Sequence, residues 1–305
     1  MFRYILRRVI LAIPSILGVV IIVFFLSRII GSPVYVLMQA ESNAEDIQAI
    51  ERSLGLDKPL GEQFVRYIGR VMRGDFGNSY WSDRPAMEIV MERFPATLQL
   101  AWVSLAFAII VGIFLGMIVA LNRDTFTDIF VSLLSLFGIS MPSFWLGLML
   151  ILVFGVTLNL LPISGNDTFL HLVMPAFTLG FSMVAIIVRL IRNDLLDVIH
   201  RPYITTAYAK GLSKRKVIFK HALKNALIPT VTMIGLQFGS LLGGSVVVET
   251  VFAWPGLGRL MIQSIYKRDF PIIEASVFLY AIFFIVVNIV VDVIYSFLDP
   301  RIRYE

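Results

Sequence analysis

The sequence predicts an all-α integral membrane protein with six transmembrane helices. Three observations carry that prediction. Mean hydropathy is +0.84 over 305 residues, well above the range of soluble domains, so lipid is the solvent for most of the chain. Six stretches each supply the ~20 mostly apolar residues that cross a hydrocarbon core. Lys and Arg collect in alternate loops, which sets the orientation.

The spans fall at 9–30, 98–121, 129–158, 172–191, 229–248 and 275–298. One side is marked by Arg3, Arg7 and Arg8, by Arg123, by Arg192 and Arg201, and by Arg301 and Arg303. Segment 159–171 has no Lys or Arg, as an outer loop should. Arg259, Lys267 and Arg268 after span five are a mild exception. The pattern predicts a multi-pass membrane protein with both termini in the cytoplasm. Span one has the basic start of a signal peptide. Its apolar run is long and no A-x-A site follows, so it reads as an uncleaved span.

Residues 31–97 then form a small external helical subdomain. "SNAEDIQAIERSLG" reads as a helix capped by Asn43 and ended by Gly55. "KPLGEQFVRYIGRVMRG" reads as a second, stopped by Gly74, and "GDFGNS" (74–79) as a turn cluster. The segment serves either as a cap that stabilises the bundle or as a docking surface or vestibule wall.

Small residues recur at four-residue spacing in two spans. Ala108, Gly112, Gly116 and Ala120 make one stripe; Gly235, Gly239 and Gly243 make another. This spacing suits close helix packing, and a sliding interface along a pathway is the alternative. Prolines at 14, 142, 175 and 229 kink or start helices. Arg28, Arg189 and Asp292 lie near span ends, where long side chains reach water. No chain of acids or histidines crosses the membrane, which argues against a proton-coupled transporter.

An enzyme is also disfavoured. The three histidines, His171, His200 and His221, form no H-E-x-x-H pair, and no G-x-S-x-G elbow or glycine-rich phosphate loop occurs. There is no Cys, so no thiolate metal site. No catalytic, cofactor or metal residues are assigned, and nothing points to nucleic acid. If ATP drives this protein, another chain binds it.

The stretch "AYAKGLSKRKVIFKHALKNALIP" (207–229) stands out. It carries Lys210, Lys214, Arg215, Lys216, Lys220 and Lys224 and no acid. Gly211 can end a short helix, "YITTAYAK", and Ser213 can cap a second, "KRKVIFKHALKNAL". At 100° per residue, Ile218, Phe219, Ala222, Leu223, Ala226 and Leu227 share one face. Lys214, Lys220, His221, Lys224 and Asn225 share the other, with Val217 misplaced among them. The expectation is an amphipathic helix lying on the cytoplasmic surface, with Pro229 turning the chain into span five. Anionic lipid would attract it. The helix–Gly–helix build instead suits a compact knob for a partner's cleft.

Here the chain resembles the permease subunits of bacterial ATP-binding-cassette importers, within the dipeptide/oligopeptide/nickel (and glutathione) permease family. The resemblance covers almost the whole chain. "YILRRVILAIPSILGVVIIVFFL", "LGLDKPL", "GDFGNS", "TTAYAKGLS", "HALKNALIP", "GGSVVVETVFAWPGLGRL" and "LDPRIRY" are similar to that family's phrases, in order. Two departures from the general importer loop occur. Thr205 stands where a glutamate is expected six residues before Gly211, with Thr206 beside it, and the gap from Gly211 to Pro229 is long. Both agree with the peptide-permease variant.

The resemblance implies a type I importer permease fold, with cytoplasmic N-terminus and first span (1–30), external subdomain (31–97), five-helix core (98–298) with coupling loop 201–228, and cytoplasmic C-terminus (299–305). It implies half of a translocation pathway for small peptides, a second similar permease, two cytoplasmic ATPases holding ATP and Mg, and an extracytoplasmic binding protein. Thr205, Ala207, Tyr208, Lys210, Gly211, Leu212 and Ser213 would meet the ATPase. Gln237, Ser240 and Ser245 are candidate pathway residues, and "ETVFAWPGLG" (249–258) would shape the external mouth. Nickel or another small solute, a stand-alone channel, and a membrane scaffold are the competing readings.

Overall fold

The computed structural model describes residues 2–29, 52 and 55–298. The helix expected over 42–55 falls almost wholly outside them, as does 299–305. The described elements are helical apart from one isolated bridge between Asn78 and Pro85. We number the helices α1 (Phe2–Ile29), α2 (Leu60–Val71), α3 (Ala86–Leu121), α4 (Phe126–Ser140), α5 (Ser143–Thr157), α6 (Leu170–Ile199), α7 (Pro202–Ala209), α8 (Lys214–Val251), α9 (Leu257–Lys267) and α10 (Phe270–Leu298). Five of them are long and apolar enough to cross a membrane; α4 and α5 meet that test only as a pair, bent by 111° at their junction. The third span expected over 129–158 is therefore broken. Pro142 has no N–H to bond backwards, and Met141 ahead of it is extended, so the helix ends at Ser140 and restarts in a new direction.

The chain divides into two compact units: residues 1–96 with 255–289, and 97–254 with 290–305. The first unit thus joins the external segment to residues 255–289. Its core gathers Val20 and Phe24 of α1, Tyr67 and Val71 of α2, Phe76, Val90, Leu257 and Ala275. Gly74 and Gly77 take positive φ, the Asp75 carboxylate accepts from the Gly77 N–H at 2.9 Å, and the turn is tight. It is fixed by Asp269, which accepts from the Ser79 hydroxyl at 2.6 Å and the Tyr80 N–H at 3.2 Å. Burial, with the negative charge of Glu274 nearby, pushes the Tyr80 hydroxyl well above its ordinary range, so it stays neutral. Arg28 does not simply reach for water. It lies 3.4 Å over the Phe24 ring and donates to the Phe24 carbonyl and the Gln63 side chain.

In the second unit α6 is the hub: α4 and α8 both pack on it, and α3 meets it through glycine. A Cβ on Gly112 would fall 2.7 Å from Ile187, one on Gly116 2.8 Å from Ile191, and one on Gly180 2.8 Å from the Ser104 carbonyl. Gly138 of α4 approaches Ala185 in the same way. Small residues let these backbones come within reach of dispersion forces, the main attraction between helices in lipid.

Candidate coupling loop

α6 ends at Ile199, and Pro202 starts α7 at a helix position where a missing N–H costs nothing. α7 closes in a Schellman turn. The Gly211 N–H donates to the Tyr208 carbonyl at 2.9 Å and the Leu212 N–H to the Ala207 carbonyl at 3.4 Å. Gly211 carries the turn with φ 76, in the left-handed region, and open space surrounds its Cα. Ser213 has the extended backbone of an N-cap, yet its hydroxyl makes no capping bond. The capping expectation therefore holds for backbone only.

The helix after it departs from expectation twice. Lys214–Val251 is one helix of 38 residues, running straight through Pro229. At 1.5 Å per residue it is about 57 Å long against a hydrocarbon core of about 30 Å. The basic segment is thus continuous with span five rather than a separate helix turned into it by Pro229. Its faces are also rotated. Val217 is buried at 1% exposure and Phe219 is exposed at 53%, the reverse of the α-helical projection. The cause is a run of wide π turns over Val217–Ala222. A π turn advances fewer degrees per residue, so Val217 and Ala222, five apart, share a side.

That side is the loop's anchor. Ile204, Ala207, Val217, Ala222 and Ala226 bury against Ala120 of α3 and Leu195 and Val198 of α6. Asn225 of α8 donates to the Tyr203 hydroxyl of α7 at 2.9 Å. Thr205, Tyr208, Lys210, Gly211 and Ser213 are exposed together at the tip. Ala207 is buried and Leu212 half-buried against the anchor, so these two hold the tip from below. Lys214, Arg215, Lys216, Lys220 and Lys224 are exposed and pair with no acid among the described residues.

Among the pathway candidates, Gln237 is half-buried and Ser240 exposed, its hydroxyl donating to the Gln237 carbonyl at 2.7 Å. Ser245 is fully buried with its hydroxyl on the Leu242 carbonyl, so it faces the unit's own interior. The glycine stripe of α8 splits likewise. A Cβ on Gly235 would strike Val291, Gly239 is buried, and Gly243 has nothing within 4 Å.

Two pairs were missed in the sequence. Arg192 grips Asp128 with two hydrogen bonds, 2.8 and 2.7 Å. Thr97 donates to Glu249 at 2.7 Å with both side chains buried. Glu249 is the one charged residue in 229–251, which was a legible signal. It sits where "ETVFAWPGLG" turns: Phe252 and Trp254 are buried, and Ala253 holds a left-handed φ of 51 in a second Schellman turn.

A sequence profile described as "Binding-protein-dependent transport system inner membrane component" matches residues 112–304, and its N-terminal companion matches 1–101. The chain belongs to that family. It is 44% identical to the glutathione transport system permease protein GsiC of Salmonella paratyphi A, and 43% identical to that of Escherichia coli K12, over all of each chain. An inward-facing structure of the MetNI methionine ABC transporter shares the fold, with TM-score 0.57 and 20% identity, covering 70% of this chain and 97% of that one. The protein is a multi-pass inner-membrane permease of an ATP-driven importer. It has no ATPase chemistry of its own; hydrolysis lies on partner subunits, and an ATPase, a binding protein and a partner permease are implied. The predicted fold and function class are borne out, and the stand-alone channel is set aside.

Proposed function

We propose that this permease forms half of a pathway for glutathione or similarly short peptides. The observation that carries the reading is 44% identity with a glutathione permease over all of both chains. A second, similar permease would complete the pathway, two ATPases would each take one loop, and the binding protein would deliver substrate outside.

Residues 201–228 are the coupling loop in this reading. Thr205, Tyr208, Lys210, Gly211 and Ser213 contact the ATPase, and Ala207 and Leu212 support them. The buried anchor on α3 and α6 makes the loop move as one piece with two spans, so closure of the ATPases shifts the bundle between its two states. Both termini lie in the cytoplasm in this reading, which the basic residues on the loop side support. Residues 31–97 form the external subdomain, 98–298 the core, and 249–258 part of the outer mouth. Gln237 and Ser240 line the pathway from α8, whereas Ser245 supports it.

The test is purification of the tagged permease from its native membrane, followed by uptake of labelled glutathione into proteoliposomes. Two ATPases, a second permease and glutathione uptake are expected. Recovery of the chain alone would sink the assembly, and uptake of nickel but not peptide would sink the substrate class.

A further inference from the structure

Near the C-terminal end of α6, α4 and α6 leave an open groove of about 640 Å³. Its apolar wall is Ile129, Leu133 and Leu136 of α4, each more than half exposed. Its polar end holds two arginines and two aspartates, and these are not equivalent. Arg192 is committed to buried Asp128, and Asp124 lies 3.2 Å from Arg123. Arg189 is exposed and has neither an ion pair nor a hydrogen bond to its side chain among the described residues. It lies one turn before Asn193, two residues from the end of the span at 172–191. A lone guanidinium at a span end, at headgroup level and beside exposed apolar side chains, is placed to meet an anion. A free phosphate would make no use of the leucine wall. A phospholipid carries both groups, a phosphodiester and an acyl chain, in the order the groove presents them.

We infer that this groove holds one bilayer phospholipid. Its phosphodiester sits on Arg189 and Asn193, and an acyl chain runs along Ile129, Leu133 and Leu136. The lipid then fills the gap between α4 and the hub helix. The proposed cytoplasmic side of the loop decides only which leaflet supplies it.

The test is native mass spectrometry of the assembled transporter, purified in mild detergent with added phosphatidylglycerol. One lipid should survive delipidation per copy of this chain. Arg189→Gln should lower its occupancy about tenfold, the loss of one charge-assisted contact, and Arg189→Lys less. Equal retention by Arg189→Gln would overturn the site. In the unaltered transporter, displacement by millimolar inorganic phosphate would make it a free anion site, and displacement by glutathione would make it part of the pathway. Loss of the second permease from the Arg189→Gln complex would make it a subunit interface. Lipid retention and its loss in Arg189→Gln depend neither on which substrate is carried nor on which leaflet the groove faces, so failure here is separable from failure of the proposed function.

Discussion

Asp128 and Arg192, 64 residues apart, meet in a two-pronged ion pair that fastens the start of α4 to α6. The Asp124 N–H at 3.0 Å and the Ser132 hydroxyl at 3.2 Å complete the carboxylate's partners. Removing Arg192 leaves a buried carboxylate unpaired, a loss of about 3 kcal/mol. Arg192→Ala should therefore melt earlier and be recovered in lower yield. The Asp128→Asn/Arg192→Gln double variant should lose less than the sum of its singles. Thermal melts of the purified permease give the coupling; strict additivity would mean the pair contributes nothing.

Gly211→Asp should leave the permease in the membrane and abolish coupling. A Cβ there meets nothing within 4 Å, so packing survives, while the positive φ costs about 1 kcal/mol in the tip alone. Membrane level by immunoblot should match the parent, and substrate uptake should fall at least tenfold, equivalent to about 1.4 kcal/mol or more of lost coupling. A variant that never reaches the membrane would place the defect in folding.

Gly112→Val and Gly243→Val should separate packing from function. The first drives a side chain into Ile187 and should destabilise by about 3 kcal/mol or more. The second meets open space within this chain and should change its own stability by less than about 0.5 kcal/mol. If Gly243→Val nevertheless stops transport, that face serves the pathway or the partner permease; equal destabilisation of both would contradict the packing described.

Ala253 holds a left-handed conformation that glycine adopts without a Cβ penalty. Ala253→Gly should lengthen the half-life of thermal inactivation, a gain of about 0.5 kcal/mol after the added freedom of the unfolded chain is counted. A shorter half-life would show that the methyl group's packing outweighs the strain.

The loop tip was legible because its signals are local. Pro202 and Gly211 each impose a backbone geometry through their own covalent structure, and no neighbour is needed to read them. Glu249 could have been singled out as the lone charge of 229–251; Thr97 as its partner could not, since no periodicity links residues 152 apart.

By itself the sequence determined which segments live in lipid, which loop is basic and where α7 must stop, because hydropathy, charge and backbone chirality are properties of single residues and short runs. Tertiary structure alone decided the rest. It put Val217 rather than Phe219 inside, because π turns shift the phase of a helix without changing a residue. It carried α8 through Pro229 and broke the third span at Met141 and Pro142, although proline forbids the same hydrogen bond at both. It chose Arg192 as the partner of Asp128, because a buried charge is satisfied by whatever the fold brings within reach.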